Sequence, residues 1–539
     1  MRRAWIIAPV LLVPMLTMAG VAAGQEGLSA LDDLDLPTQQ EDPAVEAIDR
    51  QLDAADERFE AALAAAEAEN ETAGGLDLAE AVRLALANNP ALAAVEARRD
   101  EVAAGVQEVR ADAYPQVAAT SSYSISRNPA FLNSPDFEDL LDQFPAGSFE
   151  PAEQRLYGFG VEVTQPIYTF GKLSAAIDLA RLLVDANAAQ IDAARLDTAL
   201  DAAEAYYDYL AARDALAVGL VQRRVRREAL EVVRSRYEVG EATRLEMLRA
   251  QSALAEVTPE VASRAGELAV AGSRLKNVLG LDPRAPLAVA GGLEPRLPPV
   301  AEELAAEELT EPSGEPAAPS PALAPRRGGE LSPVPSFDTV FATAQAERPE
   351  LVDLELQAEA LAQRQVVVRA EGRPQIEFNG FYGREARVFG DLGDGLFDNY
   401  AFSVGLRWEF FDGGRRKGQI AQFESQRQQL GHRLRDLLST IRLEIDESRT
   451  DYRTAIERWW AAETAATAAR EASRVARESY REGVALQTDW LDAQRQEAES
   501  EILAVEAYYE ARREAARLAR AVGALPTRGW TTAGADNEE

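Results

Sequence analysis

The amino-acid sequence predicts an α+β membrane protein in which a few amphipathic strands per chain pool into one β-barrel between copies, and long helical hairpins continue from it. Three observations predict it. The chain is written twice, since "YEVGEATRLEMLRAQ" at 237–251 is answered by "YREGVALQTDWLDAQ" at 480–494, at a constant offset of 243 residues. Each copy holds strictly alternating segments with one apolar face and no obvious layer to cover it. Each copy also holds a proline-free stretch, 171–237 and 414–480, long enough for a helix of roughly 100 Å at 1.5 Å per residue.

Composition narrows the alternatives. The 539 residues are 27% charged and 47% hydrophobic, as in a folded protein. Met1-Arg2-Arg3, an apolar run from Ala4 to Gly20 and the small residues Val21 to Gly24 read as a secretory signal, residues 1–24, cleaved near Ala23 or Gly24. Beyond it no apolar run approaches the ~18 residues of a spanning helix, so any part that crosses a membrane is β. With no cysteine the chain has no disulfide, thiolate metal site or lipid-modified cysteine. The net charge of −34 excludes a nucleic-acid partner, whose backbone demands a basic face. Fifteen Asp and Glu against Arg50 and Arg58 make 25–73 an acidic N-terminal extension of charge −13, read as a solvated segment with a partner-binding arm as the alternative.

The register of the repeats locates each element. "ALANNPAL" at 85–92 matches "AQAERPEL" at 344–351, and Tyr114-Pro115-Gln116 matches Arg373-Pro374-Gln375, both at an offset of 259. "QPIYTFGK" at 165–172 matches "WEFFDGGR" at 408–415 at 243, so the first copy carries 16 extra residues between 116 and 165, a variable loop. The copies span 74–283 and 336–527, and each opens with a helical stretch, 78–113 or 337–371, that ends before a proline.

Alternation then replaces the helical period. Tyr157, Phe159, Val161, Val163 and Ile167 alternate with Gly158, Gly160, Glu162 and Thr164. Tyr400, Phe402, Val404, Leu406, Trp408 and Phe410 alternate with Ser403, Gly405, Arg407 and Glu409. Ile376, Phe378 and Tyr382 mark a third strand, and Val117 to Ile125 with Tyr123 a weaker fourth. A soluble sandwich would cover the aromatic faces with a second layer, but the rest of the chain is helix. Apolar-out, polar-in strands of this length match an outer-membrane barrel. Four strands cannot close one, because the smallest use about eight, so several protomers share it.

Leu434, Leu438, Ile441, Ile445, Ser448, Tyr452, Ala455 and Trp459 keep the 4,3 spacing of a coiled-coil seam, and Leu196, Leu200, Ala203, Tyr207 and Leu210 repeat it. Trp459 and Trp460 read as packing residues. Gly240 and Gly483 end the long helices and return the chain antiparallel along 243–280 and 486–522. Between the copies, 284–335 is a Pro/Ala/Glu-rich linker expected to lie extended, and 528–539 is a tail.

Leu78-Ala79-Glu80-Ala81 with Asn89-Pro90, Gln165-Pro166-Ile167 running into Phe170-Gly171, Tyr237 with Gly240, Tyr480 with Gly483, and Leu279-Gly280 together resemble the TolC family of outer-membrane efflux and secretion channels, over nearly all of 76–527. The resemblance implies a homotrimer whose twelve-stranded outer-membrane β-barrel, four strands per protomer, continues into a periplasmic α-helical coiled-coil tunnel. It implies a passive duct, surrounded by outer-membrane lipid, that receives small molecules from a periplasmic adaptor (membrane fusion) protein and an inner-membrane pump of RND or ABC type. No cofactor is implied, and the missing cysteine matches the non-lipidated branch.

The resemblance also places adaptor contacts on the hairpin tips, over Tyr237 to Leu245 and Tyr480 to Thr488, with Tyr237, Gly240, Thr243 and Leu245 in the first copy and Tyr480, Gly483, Leu486 and Thr488 in the second. Asp489 and Asp492 are similar to two family aspartates that ring the tunnel entrance. Their i, i+3 spacing puts both on one helix face. The first copy has Glu246 and Arg249 there, so only Glu246 would join such a ring. The plain alternative is a pair of solvated aspartates favoured by the helix dipole.

Other function classes find little support. His432, the only histidine, lies among Leu430, Arg433 and Arg435, and no P-loop, zinc-protease, G-x-S-x-G or dinucleotide motif is present. "DLGDGLFDN" at 391–399 lacks the spacing of a calcium loop and reads as an acidic surface loop. A duct for type I protein secretion is the alternative within the family. A soluble periplasmic coiled-coil scaffold would explain the helices but not the strand faces.

Overall fold

In the computed structural model of the chain, residues 75–126, 154–291, 334–393 and 398–526 are described. The signal, the acidic extension, the tail and all but the two ends of the linker lie outside them, as do four residues of the 391–399 loop.

The first repeat runs α1 (Leu78–Asn88), α2 (Pro90–Ala111), β1 (Gln116–Ser126), β2 (Gln154–Tyr168), α3 (Lys172–Glu238) and α4 (Arg244–Val278). The second runs α5 (Phe337–Glu347), α6 (Pro349–Glu371), β3 (Gln375–Ala386), a 3₁₀ turn (Phe389–Gly393), β4 (Asp398–Arg407), α7 (Arg415–Arg481) and α8 (Gln487–Val522). The two offsets carry α1 onto α5 and α3 onto α7 residue for residue, and both long helices have 67 residues. Left-handed glycines recur at the same places: Gly171 and Gly414 open the long helices, Gly240 and Gly483 close them, and Gly280 and Gly523 follow the return helices.

The opening helical stretch of each repeat is two helices rather than one. Asn89 and Arg348 are extended, with ψ of 118° and 117°, because a proline follows each and disfavours the helical region. The new helices then start with proline at N1, where its missing N–H costs nothing. Asn89 Oδ1 accepts from the Ala91 and Leu92 N–H groups. Arg348 caps nothing; its buried guanidinium donates to Glu444 at 2.7 Å.

The four strands form one antiparallel sheet in the order β1-β2-β3-β4. Register sorts the faces as the alternation predicts. Val163, Val161 and Phe159 share one face with Tyr382, Phe378, Tyr400, Phe402, Val404 and Leu406, while Gly160, Glu162, Asn379, Ser403 and Gly405 share the other. Phe402, Val404 and Leu406 are 66%, 66% and 65% exposed, so nothing among the described residues covers the apolar face of β4. That strand stops at Arg407; Trp408 and Phe410 lie beyond it, and the Trp408 indole donates to the Gly372 carbonyl at 3.1 Å. On the wet face the Phe381 ring lies over Gly160 and Gly383, where an added Cβ would sit 2.6 and 2.7 Å from it. The extra length of the first copy falls between β1 and β2, at 127–153, outside the described residues.

Below the sheet, α3 packs with α4, α7 with α8, and α3 with α8. One core joins Ala81, Ala85, Ala199, Ala202, Tyr206, Leu210, Leu275, Leu279, Trp459 and Tyr509; the many alanines let helix backbones approach closely. The other core gathers Val340, Ala344, Leu351, Ile441, Ile445, Tyr452 and Leu518, so α7 turns its predicted seam toward α5, α6 and α8. Ile441, Ile445, Tyr452, Ala455 and Trp459 are buried. Trp460 is not a core residue as expected: it is 48% exposed and leans on Trp459. Three arginines of α8 tie it to α3, with Arg520 to Asp197 at 2.6 Å, Arg517 to Glu204 at 2.7 Å and Arg513 to Asp208 at 2.9 Å. After a turn at 283–285 the chain comes beside Leu76, which exchanges backbone hydrogen bonds with Ala288 and Ala290, and the Tyr206 hydroxyl donates to the Ala290 carbonyl.

Candidate functional site

Both hairpin tips are built by the same hydrogen bonds. Gly240 N–H donates to the Tyr237 carbonyl at 3.0 Å and Glu241 N–H to Arg236 at 2.8 Å; Gly483 donates to Tyr480 at 3.1 Å and Val484 to Ser479 at 2.9 Å. The glycines have φ of +81° and +75°, the left-handed conformation that satisfies the last carbonyls of a helix and turns the chain away.

The return helices start differently. Thr243 caps α4 in a reciprocal box: its hydroxyl accepts from Glu246 N–H at 3.3 Å, and the Glu246 carboxylate accepts from Thr243 N–H at 2.6 Å. In α8 the cap position is Leu486, which has no acceptor, so only the return half survives, with Asp489 accepting from Leu486 N–H at 3.3 Å. Thus two of the three predicted entrance carboxylates, Glu246 and Asp489, are engaged by helix-cap N–H groups. Asp492 is the open one: its side chain is 72% exposed, 3.8 Å from Arg495. Arg495 also reaches Glu256 of α4 at 4.0 Å. Buried Arg226 faces Asp492, Glu256, Glu260 and Arg495; burial first, and Arg495 second, lower its pKa.

The tips touch one another. The Arg236 guanidinium lies 5.1 Å from the centre of the Tyr480 ring, which stacks on Trp490 at 5.2 Å, and the Gln487 amide donates to the Glu246 carbonyl at 3.0 Å. Stacking and cation–π contacts of this kind contribute about 0.5–1.5 kcal/mol each. Of the predicted adaptor contacts, Tyr480 is therefore buried, at 4% exposure, and shapes the tip, while burial pushes its hydroxyl pKa up. Tyr237 and Thr488 are half-buried, and Thr243 caps α4. Leu245 and Leu486 stand out at 56% and 69%. Within the predicted spans 237–245 and 480–488, Val239 and Val484 are 69% and 80% exposed beside the turn glycines. Arg236, Gln487 and Trp490 hold the tips together, a role that sequence reasoning did not give them.

Comparison with known proteins follows the same division. The outer membrane efflux protein family matches at residues 81–281 and 340–524, one block per repeat. Outer membrane protein OprJ of Pseudomonas aeruginosa is 22% identical over 454 residues, covering 84% of each chain. Protein CyaE of Bordetella pertussis is 28% identical over 217 residues, 40% of this chain and 42% of that protein. The open-state structure of the Neisseria gonorrhoeae MtrE outer membrane channel superposes with a TM-score of 0.62 at 18% identity, covering 84% of this chain and 90% of that one. The fold is thus that of an outer-membrane channel with a β-barrel and an α-helical tunnel. With both repeats matched and their strand-to-long-helix order reproduced, the chain belongs to the outer membrane efflux protein family.

Proposed function

We propose that the chain is the outer-membrane exit duct of a tripartite efflux system, conducting small molecules passively to the exterior. One observation carries the reading: a four-stranded sheet with an uncovered apolar face stands at one end of two 67-residue helices that end in exposed apolar tips. Three such sheets make a twelve-stranded barrel in outer-membrane lipid, and the helices extend into the periplasm. Leu245, Val239, Leu486 and Val484 then offer an adaptor protein its apolar footing, and an inner-membrane pump of RND or ABC type supplies the energy. The match of both repeats to the outer membrane efflux protein family supports efflux over type I protein secretion. Fractionation tests the reading: after signal removal the protein is expected in the outer membrane, extracted by detergent as a trimer. Recovery as a soluble periplasmic monomer would overturn it.

Asp492 is the carboxylate best placed to ring a closed entrance, with Asp489 and Glu246 behind it. Threefold symmetry brings like charges together there, which repel one another and attract cations. Replacing Asp489 and Asp492 by Ala is expected to weaken block of the purified trimer by divalent cations several-fold in a planar bilayer, and Asp492→Asn alone to give most of that change. If the aspartates act only on the helix end, current and block stay as in wild type and α8 loses about 0.3–1 kcal/mol per carboxylate.

A further inference from the structure

We infer that the junction between β4 and α7 holds the headgroup of an anionic phospholipid, one for each copy of the chain, at the periplasmic edge of the membrane. The inference rests on the duct reading above and adds a lipid class and the residues that select it.

The two repeats close the foot of each hairpin with the same bond. In the first, the Gln165 amide donates to the Ala113 carbonyl at 2.9 Å; in the second, the Trp408 indole donates to the Gly372 carbonyl at 3.1 Å. The offsets of 243 and 259 carry donor onto donor and acceptor onto acceptor. Around that shared bond the side chains diverge. Gln165, Tyr114 and Ser174 at the first foot become Trp408, Arg373 and Lys417 at the second, so only the second sets a tryptophan beside added positive charge.

That charge runs against the composition of the chain. Residues 369–375 and 408–417 hold five Arg and Lys against three Asp and Glu, in a protein of net charge −34. All three acids are engaged, Glu409 by Arg415 at 3.0 Å, Asp412 by Arg416 at 2.5 Å and Glu371 by Lys172 at 3.7 Å. Arg369 donates to Gln365 at 3.1 Å. Arg373 and Lys417 are left over: both are exposed, and neither has an ion-pair partner among the described residues.

Position says which anion meets them. The apolar series of β4 runs on through Trp408 and Phe410, which are 55% and 78% exposed and meet edge to face at 6.1 Å. Tryptophan with a hydrogen-bonded N–H and an uncovered ring is a residue of the membrane–water boundary. From Tyr400 the chain advances eight residues to Trp408. At the tilt of a barrel strand that is a rise of roughly 20 Å, most of the ~25 Å apolar band. Trp408 thus stands at headgroup level, on the side from which the long helices leave. Arg373 follows Gly372, the residue that Trp408 binds, and Lys417 lies in the first turn of α7. A guanidinium and an ammonium at this depth match the phosphate of a phospholipid, with the arginine able to bind it through two N–H groups. Surplus positive charge favours a headgroup that is net negative over a zwitterionic one.

Lipid retention by the purified trimer tests the site. After exchange in detergent holding equal amounts of phosphatidylglycerol and phosphatidylcholine, native mass spectrometry is expected to find one phosphatidylglycerol kept per copy and little phosphatidylcholine. A basic residue near an anionic surface strengthens binding roughly fivefold, so Arg373→Gln with Lys417→Gln is expected to lower retention about twentyfold. Arg110→Gln, a charge loss at the first foot, is expected to leave it unchanged. Salt raised from about 0.1 M to 1 M, which shortens the screening length from about 10 Å to 3 Å, is expected to release the lipid. Equal retention of the two lipids, or equal loss from Arg110→Gln and Arg373→Gln, in a trimer of normal heat resistance would overturn the headgroup site and leave the duct reading standing. A double variant that dissociates at a lower temperature yet keeps its lipid would also overturn it, placing the two side chains under the neighbouring copy. A wild-type chain that is a soluble periplasmic monomer would overturn both readings.

Discussion

Arginine at Val404 or Leu406 is expected to abolish most of the trimer recovered from the outer membrane. Both side chains lie on the apolar face, opposite Phe378 and Ile376, with about two thirds of their surface uncovered. An arginine on the lipid face of a barrel costs about 2–4 kcal/mol at mid-membrane, and an assembly of three copies carries that cost three times. Arginine at Ser403 or Gly405 is the control, one residue away on the same strand but on the wet face. Gly405 has no described atom of its own chain within 4 Å of where a Cβ would sit, so a side chain there meets no clash inside the protomer. Heat-resistant trimer in the membrane fraction is the readout. Equal yields from the two faces would mean that the sheet does not lie in lipid.

Gly280→Ala is expected to destabilise the folded chain far more than Gly240→Ala, although both glycines are left-handed, with φ of +65° and +81°. The conformation itself costs an alanine roughly 1–2 kcal/mol at either site. At Gly240 that is the whole cost, since nothing lies within 4 Å of an added Cβ. At Gly280 the Cβ would run into the Asn88 backbone oxygen and sit 2.7 Å from its carbonyl carbon. Asn88 ends α1 and has no freedom to retreat, because next to it Asn89 donates to the Val278 carbonyl at 3.1 Å. Overpacking of this kind adds about 1–3 kcal/mol. Gly523→Ala, whose Cβ would lie 3.0 Å from the Glu347 oxygen, is expected between the two. Denaturant unfolding of the three variants reads the order, and equal losses would show that backbone conformation alone sets the cost.

The repeat and its consequences were legible in the sequence because they rest on punctuation. Left-handed glycine fixes the ends of α3 and α7, and alternation fixes the strand faces, whereas Pro90 and Pro349, which split each opening stretch into two helices, read in the sequence only as markers of the repeat. What escaped depends on neighbours distant in the chain. Tyr480 and Tyr237 occupy equivalent turns, yet only Tyr480 is buried, because the position ten residues on is Trp490 in one repeat and Met247 in the other. Asp489 reads as a free carboxylate because its hydrogen-bond partner is the backbone N–H of a leucine, which no side-chain pattern signals. Trp408 and Phe410 continue the alternation, but β4 ends at Arg407, where the Trp408 indole bonds to the loop after α6. Thus strand facing was readable, but strand length was not.

The ring of Phe381 lies flat because positions 160 and 383 have no side chains. A bulky aromatic on the inner wall of a conduit would ordinarily stand into the stream as a constriction, and three copies would stand there together. Here the glycines recess it, so the bore keeps its width and gains only an oily tile at the level of Glu162. A side chain at Gly160, where the atoms of this ring are the nearest neighbours, would tip it inward and turn a paved surface into a baffle.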